Sequence, residues 1–322
     1  MSFFQGFIKH FKKRSDLFLL VSLLCLIVAL INPSIPINQS RYNYLLIADI
    51  SQSMNTEDMK INQKTVSRLD YIKHIMRRMI DDLPCGSKVG IGMFAGVSVS
   101  ATYSPIEVCE NFSNIATTIE KLDWRATWSG NTRIRESTVN LARLIRSFPE
   151  SAQVVFFTDG EEAPKLHAFN TRNLEQFQGG KDWLFVGIGS DVGTPIPKFD
   201  NKNQLIGYWA NESFALQPGI AQISESNIGT RNNSVASGTN DRYLSKLDEE
   251  YLQKLADEIG GYYINGNSYK AIKKVMKKQP PAWKAPDQFY LQPLFSLLAL
   301  IFFIARFVSK MSFQVFLKRF EK

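Results

Sequence analysis

Residues 44–59, YLLIADISQSMNTEDM, decide the fold that we expect for this chain. The apolar run 44–48 predicts a buried β-strand, and it ends in Asp49. Two hydroxyl side chains, Ser51 and Ser53, follow at alternate positions. Oxygen ligands at a strand end suit Mg²⁺ or a similar divalent cation. Alternatively, Asp49 caps a helix and the serines solvate a turn. The stretch by itself leaves both interpretations open.

Apolar strands alternate with amphipathic helices along the rest of this region. We expect strands at 44–48, 89–94, 152–158, 183–188 and 262–264, with 97–103 as a hairpin partner of 89–94. We expect helices at 65–83, 106–122, 134–145, 244–259 and 268–278. On the helix 65–83, Arg68 is assigned to the solvent-exposed face. Residues 191–240 are rich in Gly, Ser and Asn and are interpreted as a loop insertion.

This alternation predicts a doubly wound α/β fold with a mostly parallel sheet and one antiparallel edge strand. Ligands of such sheets bind at the carboxyl ends of the strands. Asp49 and Asp159 both directly follow apolar strands, so we expect them to meet at one edge of the sheet. Thr132 lies in a polar loop that opens a helix, and it is the third element of the candidate site.

Four stretches together resemble the von Willebrand factor A (VWA) domain, a Rossmann-like fold. They are ADISQSM at 48–54, SGNTRI at 129–134, FFTDG at 156–160 and FVGIG at 185–189. The resemblance implies a VWA domain over 42–279 with a metal-ion-dependent adhesion site (MIDAS). The implied ligands are Ser51 and Ser53 directly, Thr132 directly or through water, and Asp49 and Asp159 largely through water. The alternative for Thr132 is that it caps the following helix while Ser129 is the ligand.

The resemblance implies Mg²⁺, or Mn²⁺ or Ca²⁺, as the cofactor. It also implies an open coordination position for a carboxylate of a partner protein. Further motifs are similar to membrane-bound VWA proteins encoded beside MoxR-type AAA+ ATPases: ISQSMNTEDM, LPCGSKVGIGMF, PIEVCENF, TDGEEAP and PIPKFD. The nearest branch is the methanol-oxidation (MxaL-like) one, which implies an assembly factor that inserts calcium into a periplasmic methanol dehydrogenase. The alternative is a component of a Bat-type aerotolerance complex. In either case other membrane VWA proteins and a MoxR-type ATPase are the implied partners.

Two apolar segments, 17–33 and 289–305, are predicted to be transmembrane helices. The flanking tails 1–16 and 306–322 are basic and hold most of the net charge of +8, which argues against a surface that binds nucleic acid. By the positive-inside rule both tails lie in the cytoplasm. The domain between them is then periplasmic, at a bacterial inner membrane. A cleaved signal peptide is the alternative for the first segment.

Cys85 and Cys109 flank the predicted hairpin and should lie at the same end of it. In an oxidising compartment this arrangement permits a structural disulfide at the edge of the sheet opposite the metal. The alternative is two separate buried thiols. Cys25 falls within the first apolar segment and is expected to be inert.

Four acidic residues surround the candidate site: Glu57, Asp58, Glu161 and Glu162. They form either a solvated set of loop ends or an acidic rim that steers cationic partners or metal towards the site.

The chain lacks the HExxH, GxSxG and Walker motifs of common hydrolases and nucleotidases, and it holds only three histidines. We therefore expect a binding protein and not an enzyme.

Overall fold

The computed structural model describes residues 2–127, 132–163, 173–174, 177, 179–200, 202–209 and 244–320, with side chains described between 17 and 306. The chain divides into two compact units. The larger unit is Ser40–Trp283, and the smaller combines Met1–Gln39 with Lys284–Lys322.

The described strands and helices are as follows. The strands are β1 Ser34–Arg41, β2 Asn43–Asp49, β3 Met59–Ile61, β4 Lys64–Val66, β5 Lys88–Ala95, β6 Ser98–Ala101, β7 Ile106–Glu107, β8 Gln153–Thr158, β9 Leu184–Gly187, β10 Thr194–Pro195, β11 Pro197–Phe199, β12 Leu205–Tyr208, β13 Leu244–Ser245, β14 Tyr262–Asn265 and β15 Trp283–Tyr290. The helices are α1 Ser2–Ile31, α2 Arg68–Asp82, α3 Phe112–Glu120, α4 Ile134–Arg146, α5 Glu249–Ile259, α6 Tyr269–Met276 and α7 Gln292–Phe320.

A seven-stranded sheet forms the centre of the larger unit. Its strand order is β14-β9-β8-β2-β5-β6, and β7 also pairs with β5. Strands β2, β5, β8, β9 and β14 run parallel, whereas β6 and β7 are antiparallel to β5. The α/β prediction with a mixed sheet is therefore confirmed, although two antiparallel segments are present where one was expected.

Both faces of the sheet are covered by helices. All seven residues of β2 are buried. Leu46 and Ala48 contribute to the core that includes residues of α2, α3 and α6, and Leu45 and Ile47 contribute to the core with α4 and α5. Successive side chains of a strand point to opposite faces, so one continuous apolar run supplies both cores. Burying each of the larger side chains, Leu45, Leu46 and Ile47, stabilises the fold by about 1.5–3 kcal/mol.

The predicted element bounds differ from the structure at several places. The helix expected at 65–83 begins at Arg68, because β3 and β4 form an antiparallel hairpin immediately before it. The Ser67 side chain then caps α2 by accepting a hydrogen bond from the backbone of Asp70. The helix expected at 106–122 is instead β7 followed by α3.

The predicted insertion 191–240 contains β10, β11 and β12 within its described part. Strand β10 pairs with β13, and β11 pairs with β12. Residues 210–243 lie outside the described residues.

A disulfide joins Cys85 and Cys109, whose Cα atoms are 5.3 Å apart. The two cysteines lie beside the beginning of β5 and next to β7, whereas Asp49 ends the neighbouring parallel strand β2. The disulfide therefore lies at the edge of the sheet opposite Asp49.

In the smaller unit, α1 and α7 contact each other. The Ser22 hydroxyl donates a hydrogen bond to the Ala299 carbonyl (2.9 Å), and the rings of Phe18 and Phe302 stack. Cys25 is a buried free thiol. Exposed apolar side chains occur along both helices: Leu17, Leu20, Leu23, Leu24, Leu26, Ile27, Leu30, Ile31, Leu294, Leu297, Leu300, Ile301, Phe303 and Ile304. Among the described residues, no helix combines the length and apolarity needed to cross a membrane. The two predicted transmembrane segments are thus not confirmed.

Candidate functional site

Asp49 ends β2 and is completely buried. Its Oδ1 accepts a hydrogen bond from the backbone N–H of Ser51 (2.9 Å), and its Oδ2 accepts one from the Thr158 hydroxyl (2.7 Å). Burial, and then the negative charge of Asp159, raise the pKa of Asp49 to about 7. None of the described residues forms an ion pair with Asp49. A cation bound beside Asp49 would stabilise the ionised form of this buried carboxylate.

Ser51 and Ser53 lie at and beyond the start of a 3-10 turn, Gln52–Asn55, that follows β2. Their hydroxyl oxygens are 3.1 Å apart. Ser51 is buried and Ser53 half-buried. The turn therefore brings two neutral oxygen donors together beside the carboxylate of Asp49.

Thr132 is buried and is held by its backbone. Its N–H donates to the Ala163 carbonyl (3.0 Å), and its carbonyl accepts from the Ala163 N–H (2.8 Å). A parallel bridge to Gly96 fixes it beside the end of β5. Arg133, and not Thr132, is the N-cap residue of α4, so Thr132 does not cap that helix. Ser129, the alternative ligand, lies outside the described residues.

Asp159 follows β8, the strand next to β2, and is completely buried. Its Oδ1 accepts a hydrogen bond from the Glu161 N–H (3.1 Å). Its Oδ2 accepts one from Nη1 of Arg68 (3.0 Å). Unlike Asp49, this carboxylate already has a cationic partner.

The assignment of Arg68 to the exposed face of α2 was wrong. The side chain is 0% exposed, and its guanidinium bonds three residues. Its Nε and Nη2 donate to the carboxylate of Asp58 at 2.6–3.1 Å, and its Nη1 donates to Asp159 and to the Ser245 hydroxyl (2.6 Å). A Cβ atom on Gly189 would lie only 2.9 Å from the guanidinium carbon, so glycine leaves the space that this cation occupies. Arg68 thus joins α2 to the ends of β8 and β13.

The four residues of the predicted acidic rim have different environments. Glu57 is exposed. Asp58 pairs with Arg68, and Glu161 accepts hydrogen bonds from the Ser245 hydroxyl (2.6 Å) and the Lys246 N–H (3.2 Å). Burial and the charge of Asp159 raise the pKa of Glu161 to about 7. The carboxylates of Asp58 and Glu161 are therefore bound within the fold.

Glu162, the fourth of these residues, accepts hydrogen bonds from the Arg135 N–H (2.9 Å) and the Tyr251 hydroxyl (2.5 Å). Burial raises its pKa. The Glu162 carboxylate therefore stabilises the first turn of α4 and is engaged within the fold. We therefore do not retain steering by these side chains as part of the proposed function.

Three polar residues of this region, Arg68, Thr158 and Ser245, were missing from the predicted site. Arg68 precedes Tyr71 and Ile72 by three and four positions, so the helical spacing itself places it on the buried face of α2. That signal could have identified it. Ser245 follows a stretch of weak periodicity and carries no comparable signal.

The donor set fits a small divalent cation. Buried carboxylates and serine hydroxyls are hard oxygen ligands, and Asp49 lacks a cationic partner among the described residues. Within those residues, no group of three or more His, Cys, Asp or Glu side chains is placed to hold a metal ion. A cation at Asp49 would therefore depend on the hydroxyls of Ser51 and Ser53.

The chain is similar to several known proteins. Curated relatives named UPF0353 protein are 23% identical over 261 residues in Mycolicibacterium gilvum and 25% identical over 257 residues in Mycobacterium tuberculosis. The alignments cover 80% and 79% of this chain. The chain spans 65% and 63% of the length of these relatives.

Similar solved structures include an aerotolerance-related membrane protein from Bacteroides fragilis (19% identity, TM-score 0.46) and the conserved hypothetical protein BatB from Bacteroides thetaiotaomicron (20% identity, TM-score 0.47). Each comparison covers 74% of this chain and 98% of the other. Residues 44–162, which hold all five predicted ligands, match the family model of the von Willebrand factor type A domain. This part of the chain is therefore similar to von Willebrand factor type A domains.

Proposed function

We propose that this protein binds a divalent cation at its VWA domain and, through that cation, a carboxylate of a partner protein. Asp49, Ser51, Ser53, Thr132 and Asp159 would hold the cation, with Mg²⁺ as the expected ion and Mn²⁺ or Ca²⁺ as substitutes. The cation would supply a positive charge with a coordination position open to the partner. The role is binding and involves no catalysis.

One observation carries this proposal: Asp49 is completely buried, beside two serine hydroxyls, without an ionic partner among the described residues. Keeping an isolated buried carboxylate ionised costs free energy. A divalent cation would offset that free energy and would also coordinate the hydroxyl oxygens. Arg68 already neutralises Asp159, so the strongest effect of the cation is expected at Asp49.

The setting that we propose is a Bat-like membrane complex. Of the two settings that the motifs suggest, this one agrees better with the names of similar proteins, which include an aerotolerance-related membrane protein and BatB. None of the relatives reported above is named for methanol oxidation, so we do not propose maturation of methanol dehydrogenase. The partner is expected to be another membrane protein, and a MoxR-type ATPase remains a proposed component.

We also propose that the domain is attached to the bacterial inner membrane on its periplasmic side. The exposed leucines of α1 and α7 and the basic tails 1–16 and 306–322 support attachment through the terminal helices. Release of the full-length protein from membranes by alkaline carbonate without detergent would contradict this part of the proposal.

The metal site is tested by calorimetric titration of the full-length protein with Mg²⁺ and Mn²⁺. Ser51→Ala and Asp49→Asn should each weaken cation binding about tenfold or more, as expected when a direct or water-linked oxygen ligand is lost. Ser147→Ala is the matched control, since this exposed serine lies after α4. Crosslinking to membrane partners should disappear in EDTA and return with Mg²⁺. Cation binding that is equal in all variants would refute the assigned site.

A further inference from the structure

A second candidate site lies in the larger unit, and it shares no residue with the candidate metal site. It is a cavity of about 620 Å³, within the range of sites that bind ligands. Three elements line it: the β3–β4 hairpin, one face of α2 and the first turn of α6.

The inner wall of the cavity is apolar and held in place. Tyr71 and Ile75 of α2 are both buried, and Ile61 of the hairpin lies beside them. The Tyr71 hydroxyl donates a hydrogen bond to the Gly266 carbonyl (2.8 Å), which fixes the ring. This wall therefore presents a fixed but narrow apolar surface, since Tyr71 is 6% and Ile75 2% exposed.

The rim of the cavity is strongly basic. Its lining contains five basic side chains, namely Lys60, His74, Arg78, Lys270 and Lys273. It contains one carboxylate, Asp82.

Asp82 is already bound by neighbouring side chains. Its Oδ2 accepts hydrogen bonds from the Tyr269 hydroxyl (2.5 Å) and from Nζ of Lys273 (2.8 Å). Asp82 thus neutralises the charge of Lys273. Within the described part of the chain, the cavity lining contains no second carboxylate for the other basic side chains.

Lys60 and Lys270 provide the remaining accessible charge. Both are exposed, and neither has an ion pair or a side-chain hydrogen bond with another described residue. Arg78, in contrast, is packed over the Tyr269 ring with its guanidinium carbon 4.3 Å from the ring centre. The cavity consequently offers ammonium donors on two separate elements, around an apolar wall.

We propose that this cavity binds an acidic peptide segment of a partner protein, with an apolar side chain against Tyr71 and Ile75 and carboxylates at Lys60 and Lys270. The charges come from flexible lysine stems on different elements, which suits carboxylates spaced along a peptide. A compact phosphate would be better matched by converging arginines or by a glycine-rich loop of backbone N–H groups. The site does not depend on the cation at Asp49.

The test measures fluorescence anisotropy of a labelled peptide of alternating glutamate and leucine with the full-length protein, at low ionic strength and in EDTA. The cavity variant is Lys60→Glu combined with Lys270→Glu. The matched control is Lys181→Glu combined with Lys277→Glu, which reverses two exposed lysines elsewhere in the same unit. Near-UV circular dichroism confirms that both variants are folded.

We expect the wild type and the control variant to bind alike, and the cavity variant to bind about tenfold more weakly or worse, because like charges then face each other. A peptide with glutamine in place of glutamate should not bind. Equal weakening in both variants, equal binding of the glutamine peptide, or full competition by pyrophosphate would each overturn the proposal. Because EDTA is present throughout, failure here leaves the metal proposal unaffected, and the reverse also holds.

Discussion

Replacing Arg68 by methionine should destabilise the domain strongly. The substitution keeps a long side chain but removes the cation that pairs with Asp58 and Asp159, whose side chains are 5% and 0% exposed. Removing one partner of a buried ion pair costs about 3–5 kcal/mol, because the remaining charge is left buried without compensation. We therefore expect the free energy of unfolding to fall by about 3–5 kcal/mol. Urea unfolding of the full-length chain, followed by tryptophan fluorescence, measures the loss.

Arg77→Met is the matched control on the same helix. Arg77 is half exposed, and its partners are Asp81 and the ring of Phe112, so its loss should cost less than about 1 kcal/mol. Combining Arg68→Met with Asp58→Asn should recover part of the loss, since one of the two unpaired charges is then removed. Equal destabilisation by Arg68→Met and Arg77→Met would refute the argument from the buried network.

Three further predictions concern other parts of the larger unit. Gly160 has a φ of +80°, and a Cβ there would lie 2.8 Å from Cγ of the buried Leu252. Gly160→Ala should therefore lower the free energy of unfolding, measured in urea, by about 1–3 kcal/mol. An unchanged urea midpoint would contradict this. Replacing both Cys85 and Cys109 by serine should lower the free energy of unfolding by about 2–4 kcal/mol, because the disulfide is lost. A reductant should lower the unfolding midpoint of the wild type and leave that of the variant unchanged. The hydrogen bond from Lys273 lowers the pKa of Asp82 in the folded protein. The stabilisation that this interaction provides is therefore fully present above the pKa of Asp82 in the unfolded chain. It is lost as the pH falls through the lower pKa of the folded protein. The difference in stability between the wild type and Lys273→Met should therefore shrink from pH 7 towards about pH 3, and a constant difference would exclude this link.

The centre of the fold could be predicted because its signals are local. The apolar runs 44–48 of β2 and 154–157 of β8 are unbroken; Asp49 follows the first directly, and Asp159 follows the second after Thr158. Burial on both faces requires such runs, and the rule for parallel sheets then places both carboxylates at one edge.

The remaining features depend on contacts between residues that are distant in the sequence. The helical spacing of Arg68 indicates the buried face of α2, but it does not identify the partners, which lie ten and ninety-one positions away in the chain. Likewise, β1 pairs with β15 across nearly the whole chain, and neither strand has a distinct apolar period. Short-range patterns contain no information about such partners.

The pairing of β10 with β13 has a consequence for how this domain can vary. Thr194 lies opposite Ser245 and Pro195 opposite Leu244, so the intervening segment 196–243 leaves and rejoins the domain at neighbouring positions. The free energy of closing a flexible loop rises by only about 0.6 kcal/mol for each doubling of its length. The closure term alone would therefore allow segments of very different length here, with Ser245 still bound to Arg68. We therefore expect this pair of strands to be a position where the segment between them can be exchanged, at the loss of the contacts that Phe199 and Asn203 make with Trp124.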